Sequence, residues 1–360
     1  MSVTKIEWAD RVWNPVRGCS RVSQGCDHCY AERMATRFSG PGGWAEGFAK
    51  LVHGQPHWTG RVALVEDMLL KPLSWRAPAD GSRLRVFVNS MSDLFHEDLP
   101  DEAIDRAFAV MALCPHLDFL ILTKRPERMR EYLNNDGRAY DIEDTSEFRA
   151  AVYRVDADDM PNDKRRDLEK TRLLEQGVRA LRAWQASRGP LPNVWLGVSV
   201  EDQATADERG SLLLDTPAAV HFVSYEPALG PVDFTRIDGM ERYRREMVAY
   251  WEAHPEAADE LNAPIGNTCE YNALTGEAYA YPPGYIDGLP RLDWIICGGE
   301  SGPGARPMHP DWARSVRDQC AAAGVAFFLK QMSSGKPKPI KEISEFPTDL
   351  QIREFPNAQR

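Results

Sequence analysis

LRVFVNSMSDLFHEDLPDEAIDRAFAVMAL, residues 84–113, decides the fold class, because it changes structural rhythm partway along. Leu84 to Val88 is a short, continuous apolar run of the kind a strand buried on both faces requires. The polar segment from Asn89 to Asp93 punctuates it. From Asp101 to Leu113, Ile104, Ala107, Phe108 and Met111 recur at helical spacing. Strand, polar loop and amphipathic helix together make one βα unit of a parallel sheet.

The pattern repeats along the chain. FLIL (119–122) precedes TKRPERM, VWLGV (194–198) precedes SVED, and VHFV (220–223) precedes SYEP. WII (294–296) precedes CGGESGPG, and VAFFL (325–329) precedes KQM. With a further strand near Trp13 to Arg17, about seven strands are expected. A second helix is expected over Asp311 to Ala323, closed by Gly324. No G-x-G-x-x-G follows the first strand, which argues against a dinucleotide-binding sheet. The expectation is a partial or complete (β/α) barrel of the TIM type, with the polar clusters gathered at the carboxyl ends of its strands.

Two stretches interrupt the rhythm. Residues 135–193 are highly charged, with a predicted helix from Lys164 to Ala186, and residues 234–291 hold a predicted helix from Met240 to Ala253 followed by YNALTGEAYAYPPGY (271–285). Both are too long to be plain loops. They read as insertions into a single domain covering residues 1–360.

Composition narrows the function classes. The chain has 360 residues, a net charge of −11 and 43% hydrophobic content. That charge disfavours a broad basic surface for nucleic acid, though not a local basic cleft. MSVTKIEWADRVW, at the start, has no apolar signal region, and no run is long enough to span a membrane. A cytoplasmic location without membrane attachment is expected. Seven cysteines, an odd number spread over a long chain, do not look like a disulfide framework.

Three of those cysteines are clustered. NPVRGCSRVSQGCDHCYAE (14–32) places Cys19, Cys26 and Cys29 in the pattern C-x6-C-x2-C. Zinc is one reading, with His28, His53 or His57 completing a four-ligand set, but no second C-x2-C pair is present. A cubane iron–sulfur cluster is the other, with three thiolates leaving one iron open to a substrate or cofactor.

Three clustered cysteines after the first strand of a barrel resemble the radical S-adenosylmethionine superfamily, whose usual spacing is C-x3-C-x2-C. The chain more closely resembles a phage-associated family defined by a three-cysteine motif, through IEWADRVWNPVRGC, GCDHCYAERM, VFVNSMSDLFHEDLP, LTKRPERM, NVWLGVSVED, SYEPALGPVD, GGESGPGARPMHPDW and FFLKQM. The resemblance implies a [4Fe–4S] cluster on Cys19, Cys26 and Cys29, S-adenosylmethionine on the open iron, an external electron donor and a 5′-deoxyadenosyl radical. It points to a nucleobase or nucleotide substrate, including modified bases of phage DNA, and to the host cytoplasm. The rival expectation is a non-catalytic binding protein stapled by zinc or a cluster.

The remaining candidates lie at strand ends. Under that resemblance, Ser90, Ser92 and Asp93 receive the amino-acid end of the cofactor; otherwise Ser92 and Asp93 cap the following turn. Thr123, Lys124 and Arg125 offer cations for a carboxylate or phosphate, or are solvated charges before a helix starting near Pro126. Ser199 is a cofactor-binding candidate. Glu201 and Glu226 are candidates for proton transfer, or for ion pairing with Arg125 or Lys330. Gly298, Gly299 and Glu300 form a turn that lets backbone amides approach a ligand. Lys330 is a catalytic candidate beside Gln331, and His96 and His309 read as hydrogen-bonded scaffold.

Overall fold

The computed structural model describes residues 4–135, 137–149, 175–179, 181–183, 190–238, 270–280, 284–286, 288–336 and 338–356. Seven strands, β1 (Arg11–Trp13), β2 (Leu84–Val88), β3 (Leu117–Thr123), β4 (Val194–Val200), β5 (Val220–Tyr225), β6 (Trp294–Gly298) and β7 (Ala326–Gln331), form one sheet in chain order. The registers of β1 with β2, β2 with β3, β5 with β6 and β6 with β7 are all parallel. Sequential parallel order with helical crossovers is the connectivity of a (β/α) barrel, and seven strands make a partial one. The continuous apolar runs have their expected cause: every residue of β4, β5 and β6 is buried.

The helices that position the site are α1 (Tyr30–Arg37), α2 (Asp101–Ala112), α3 (Pro126–Leu133), α4 (Gln203–Leu214) and α5 (Pro310–Ala323). Asp101 and Glu102 stand in the first turn of α2, where their charge complements the helix dipole. Asp202 and Thr205 form a reciprocal capping box at the start of α4. Gly324 ends α5 in the left-handed conformation, at φ 67°.

Some boundaries differ from expectation. The predicted strand from Trp13 to Arg17 is two pieces, since β1 stops at Trp13 and Val16–Arg17 pairs antiparallel with Ala63–Leu64. Pro15 lies between them and has no N–H to give a ladder. β7 runs past its apolar core to Gln331, which pairs with Gly298 across a register shift. Lys330 and Gln331 end that strand, as expected. A hairpin of Ala49–Val52 with Gln55–Trp58 was not expected from the sequence.

Of the predicted helix from Lys164 to Ala186, residues 175–179 and 181–183 are described, and they are helical. The predicted helix from Met240 to Ala253 lies outside the described residues. In the second insertion, Ile237–Asp238, Glu270–Asn272, Glu277–Ala280 and Gly284–Ile286 form a four-stranded antiparallel sheet. Among the described residues, no helix is long and apolar enough to cross a membrane.

Contacts divide the chain into two compact units, Met1–Leu196 with Pro217–Ala219, and Gly197–Thr216 with Val220–Arg360. In the first, Trp13 is fully buried, packs edge-on against Phe119 at 5.6 Å and donates its indole N–H to the Met68 carbonyl at 2.8 Å. In the second, Trp294 lies between Phe222 and Phe328, with ring centroids 6.0 Å away in each case. Gly197 of β4 leaves room for the Phe222 ring, which a Cβ there would meet at 2.5 Å. Gly197→Ala should therefore lower the unfolding free energy by about 1–3 kcal/mol, as overpacked cores do. Urea denaturation measures the shift, and an unchanged midpoint would mean that the ring has room to move.

Candidate functional site

The cysteine loop follows β1 and is built by short-range hydrogen bonds. Cys26 ends a 3-10 turn, Gln24–Cys26, and Cys29 precedes the first residue of α1. The Cys29 amide donates to the Cys26 carbonyl at 3.2 Å, so the two residues share one turn. Cys19 lies just after Gly18, which is held in the left-handed region at φ 88° and bridges to Ser92 beyond β2. The C-x6-C spacing is thus the loop that leads from that bridge to the start of α1.

The three thiols lie within electrostatic reach of one another. Burial pushes the Cys19 thiol up to about 12, the Asp93 carboxylate pushes the same way, and Cys29 and Cys26 add to the effect while Arg125 opposes it. The Cys29 thiol is also raised by burial, against the pull of the Glu32 and Ala31 amides at the start of α1. Arg125 Nη1 approaches Cys19 Sγ at 4.0 Å. A guanidinium and a pair of helix N-terminal amides are the groups that stabilise thiolates once a metal replaces their protons.

Behind this loop lies a dense ion-pair network. Asp93 and Arg125 are 5% and 7% exposed, and Arg125 Nη1 donates to Asp93 Oδ2 at 3.1 Å. Asp93 also accepts from Thr123 Oγ1 at 2.7 Å, the Lys124 amide at 3.2 Å and the Phe95 amide at 3.0 Å. Arg125 donates further to Glu97 Oε2 at 2.5 Å and Ser20 Oγ at 2.7 Å. The Asp98 amide donates to His96 Nδ1 at 3.1 Å, which places the ring proton on Nε2, 2.9 Å from Ser20 Oγ. Ser20 thereby ties the cysteine loop to the segments after β2 and β3.

Several sequence readings resolve here. Arg125 is buried and paired, not a solvated charge, although α3 does begin at Pro126. Asp93 makes the turn contact expected of a cap, through Phe95, and holds Arg125 as well. Ser92 Oγ donates to the Val16 carbonyl at 2.8 Å and Ser90 Oγ to Asn14 Oδ1 at 3.3 Å, so both fasten β2 to the loop after β1. His96 is scaffold, as expected.

Asn89 was missed by the sequence reading. It is 3% exposed, sits directly after β2 at φ 59°, and its Nδ2 is buried without a partner. Its Oδ1 accepts from the Val16 amide at 3.3 Å. A buried donor without an acceptor costs about 1–3 kcal/mol, so the position suits a group that accepts a hydrogen bond from it. The signal available beforehand was only its place at the head of NSMSD.

The donor set can be tested against a metal group. Among the described residues, no three His, Cys, Asp or Glu are grouped as ligands of one metal ion. A cluster whose thiolates bind different metal atoms tolerates that wider spread. Three thiols, a neighbouring cation and the orphaned Asn89 donor are compatible with an iron–sulfur cluster and a polar cofactor beside it.

The second unit carries its own strand-end groups. Lys330 Nζ donates to Glu226 Oε1 and Oε2 at 2.7 and 2.8 Å, and Gln331 Nε2 donates to Glu226 Oε1 at 3.1 Å and the Gly299 carbonyl at 2.6 Å. Both members of the Glu226–Lys330 pair remain partly exposed. Glu201, by contrast, is fully buried and accepts from Arg209 Nη1 of α4 at 3.0 Å. Its partner is neither Arg125 nor Lys330. The same Arg209 nitrogen donates to the Ser199 carbonyl at 2.8 Å. Glu300 accepts from the Arg306 amide, Nε and Nη2 at 2.8, 3.1 and 2.7 Å, and serves the loop after β6. Gly299 is required by packing, since a Cβ would meet the Ser333 amide nitrogen at 2.5 Å. Gly298 lies beside Glu226, whose Cδ would be 3.3 Å from an added Cβ. His309 caps α5 by accepting from the Asp311 amide.

Burial separates the two glutamates by role. Glu201→Gln leaves Arg209 buried without its counter-charge and should cost about 3–5 kcal/mol of stability. Glu226→Gln, at a partly exposed pair, should cost no more than about 1 kcal/mol. Parallel denaturation curves check this, and equal losses would contradict it.

No match was found among curated proteins or among solved structures. A family model described as protein of unknown function (DUF5131) matches residues 3–349. The chain, nearly over its whole length, therefore belongs to the DUF5131 family.

Proposed function

We propose that this protein is a radical S-adenosylmethionine enzyme related to the phage three-cysteine-motif proteins. In this reading Cys19, Cys26 and Cys29 hold a [4Fe–4S] cluster, and the substrate is a nucleobase or nucleotide. The observation that carries the reading is the loop after β1, where Cys26 and Cys29 share one turn and Arg125 reaches Cys19 at 4.0 Å. The partial barrel and its polar strand ends support it.

A cluster held by Cys19, Cys26 and Cys29 would supply one-electron reductive cleavage of S-adenosylmethionine, with the electron coming from an external donor. The chain's own residues prepare for this. Arg125 offsets negative charge on the cysteine loop. Asp93 acts through Arg125 and Thr123, because its carboxylate already accepts from four donors. Asn89 offers its unpartnered Nδ2 to the cofactor, and Ser90 and Ser92 hold the backbone around it. The second unit holds its own polar cluster, in which Lys330 and Gln331 fix the oxygens of Glu226. The resemblance to phage proteins favours a modified base of phage DNA as substrate, since a base held in a pocket needs only a local basic rim.

Anaerobic reconstitution with iron, sulfide and S-adenosylmethionine tests the reading. About four irons per chain, colour bleached by dithionite and release of 5′-deoxyadenosine are expected. Cys26→Ala should lose iron and cofactor cleavage while its thermal midpoint stays close to that of the metal-free wild type. A colourless protein with one zinc per chain, or no 5′-deoxyadenosine from a reduced, loaded protein given candidate substrates, would overturn it.

A further inference from the structure

The chain segment that holds the cysteine loop has a charge balance opposite to that of the whole chain. Residues 11–65 hold seven Lys and Arg against three Asp and Glu, although the net charge of the protein is −11. Several of these cations stand over aromatic rings: Arg61 over Phe48 at 4.7 Å, Arg37 over Phe38 at 5.8 Å and Arg17 over Trp44 at 6.0 Å. Stacking fixes a guanidinium in place without neutralising it. Among the described residues, no carboxylate pairs with Arg17, Arg37, Lys50 or Arg61. Cations left unneutralised on an acidic protein suit an anionic partner.

The same segment exposes large apolar side chains. Leu51 is 65% exposed, Tyr30 58%, Val22 45% and Phe38 40%. Phe38 touches both Arg37 and the Trp44 ring on which Arg17 stands, a combination that tracks a phosphate backbone while offering platforms to unpaired bases.

This face is fastened to the cysteine loop. Arg21 pairs with Glu32 at 2.6 Å, and Glu32 Oε1 accepts from the Trp58 amide of the hairpin at 2.9 Å. Gly18 packs directly on the Arg61 carbonyl and the Phe48 ring, leaving no room for a side chain beside Cys19.

We propose that this face binds single-stranded DNA and leads a strand toward the cysteine loop. The proposal rests on the nucleobase reading above for its choice of DNA. Single-stranded rather than duplex DNA follows from the exposed Tyr30 and Phe38, whose rings need unpaired bases to stack on. It follows too from the small extent of the basic patch, since tight duplex binding neutralises many phosphates.

Fluorescence anisotropy with a labelled single-stranded DNA of about 20 nucleotides, its duplex and the matching RNA tests this, on both metal-free and reconstituted full-length protein. The single-stranded DNA should bind more tightly than the duplex or the RNA, with affinity falling as salt rises. The combined variant Arg37→Glu, Lys50→Glu and Arg61→Glu should weaken binding at least about tenfold and flatten the salt slope. Tyr30→Ala should weaken it severalfold with the slope unchanged. A charge-matched control, Lys336→Glu, Lys338→Glu and Lys341→Glu, should leave affinity within about a factor of two, and melting curves confirm that each variant is folded. Absence of binding at low salt, preference for duplex or RNA, or equal losses in the two triple variants would overturn the proposal. DNA binding without cofactor cleavage would remove the radical reading and keep the surface. Cofactor cleavage without DNA binding would do the reverse.

Discussion

The buried pair between Asp93 and Arg125 governs the arrangement of the first unit. Each charge taken from water costs several kcal/mol, and only a full set of partners offsets that cost. Asp93 has Thr123, two backbone amides and Arg125, while Arg125 has Asp93, Glu97 and Ser20. These partners come from the loop after β1, the segment after β2 and the end of β3. Satisfying one ion pair therefore fixes three chain segments at once, and the cysteine loop is one of them.

That arrangement also sets the electrostatics of the thiols. Cys19 is half-buried and lies between a carboxylate that disfavours its thiolate and a guanidinium that favours it. These surroundings favour the protonated form of Cys19 until something positively charged replaces the proton. In the proposed reading, metal binding would be coupled to loop geometry through Arg125, because the side chain that touches Cys19 also holds Ser20.

Much of the fold was legible in the sequence, for a definite reason. Strands buried on both faces read as unbroken apolar runs, so β3 to β6 stood out and their polar successors could be placed at strand ends. The cysteine motif was legible as spacing. The environment of Arg125 was not, since its partners Ser20, Asp93 and Glu97 lie far from it in the chain and no local pattern links them. Glu201 and Glu226 look alike in sequence, each just beyond a strand. Only the three-dimensional neighbours, Arg209 for one and Lys330 for the other, separate a buried structural pair from a partly exposed one. Asn89 and the hairpin from Ala49 to Trp58 carried too little periodicity to be read.

The central claim is that three cysteines bind a cluster with one iron open to a cofactor. X-ray absorption at the iron edge of the anaerobically reconstituted protein addresses it most directly. Sulfur coordination with iron–iron scattering, gaining a nitrogen or oxygen neighbour when S-adenosylmethionine is added, is the predicted result. Isolated iron ions with nitrogen and oxygen ligands, or a cluster spectrum that the cofactor leaves unchanged, would contradict it.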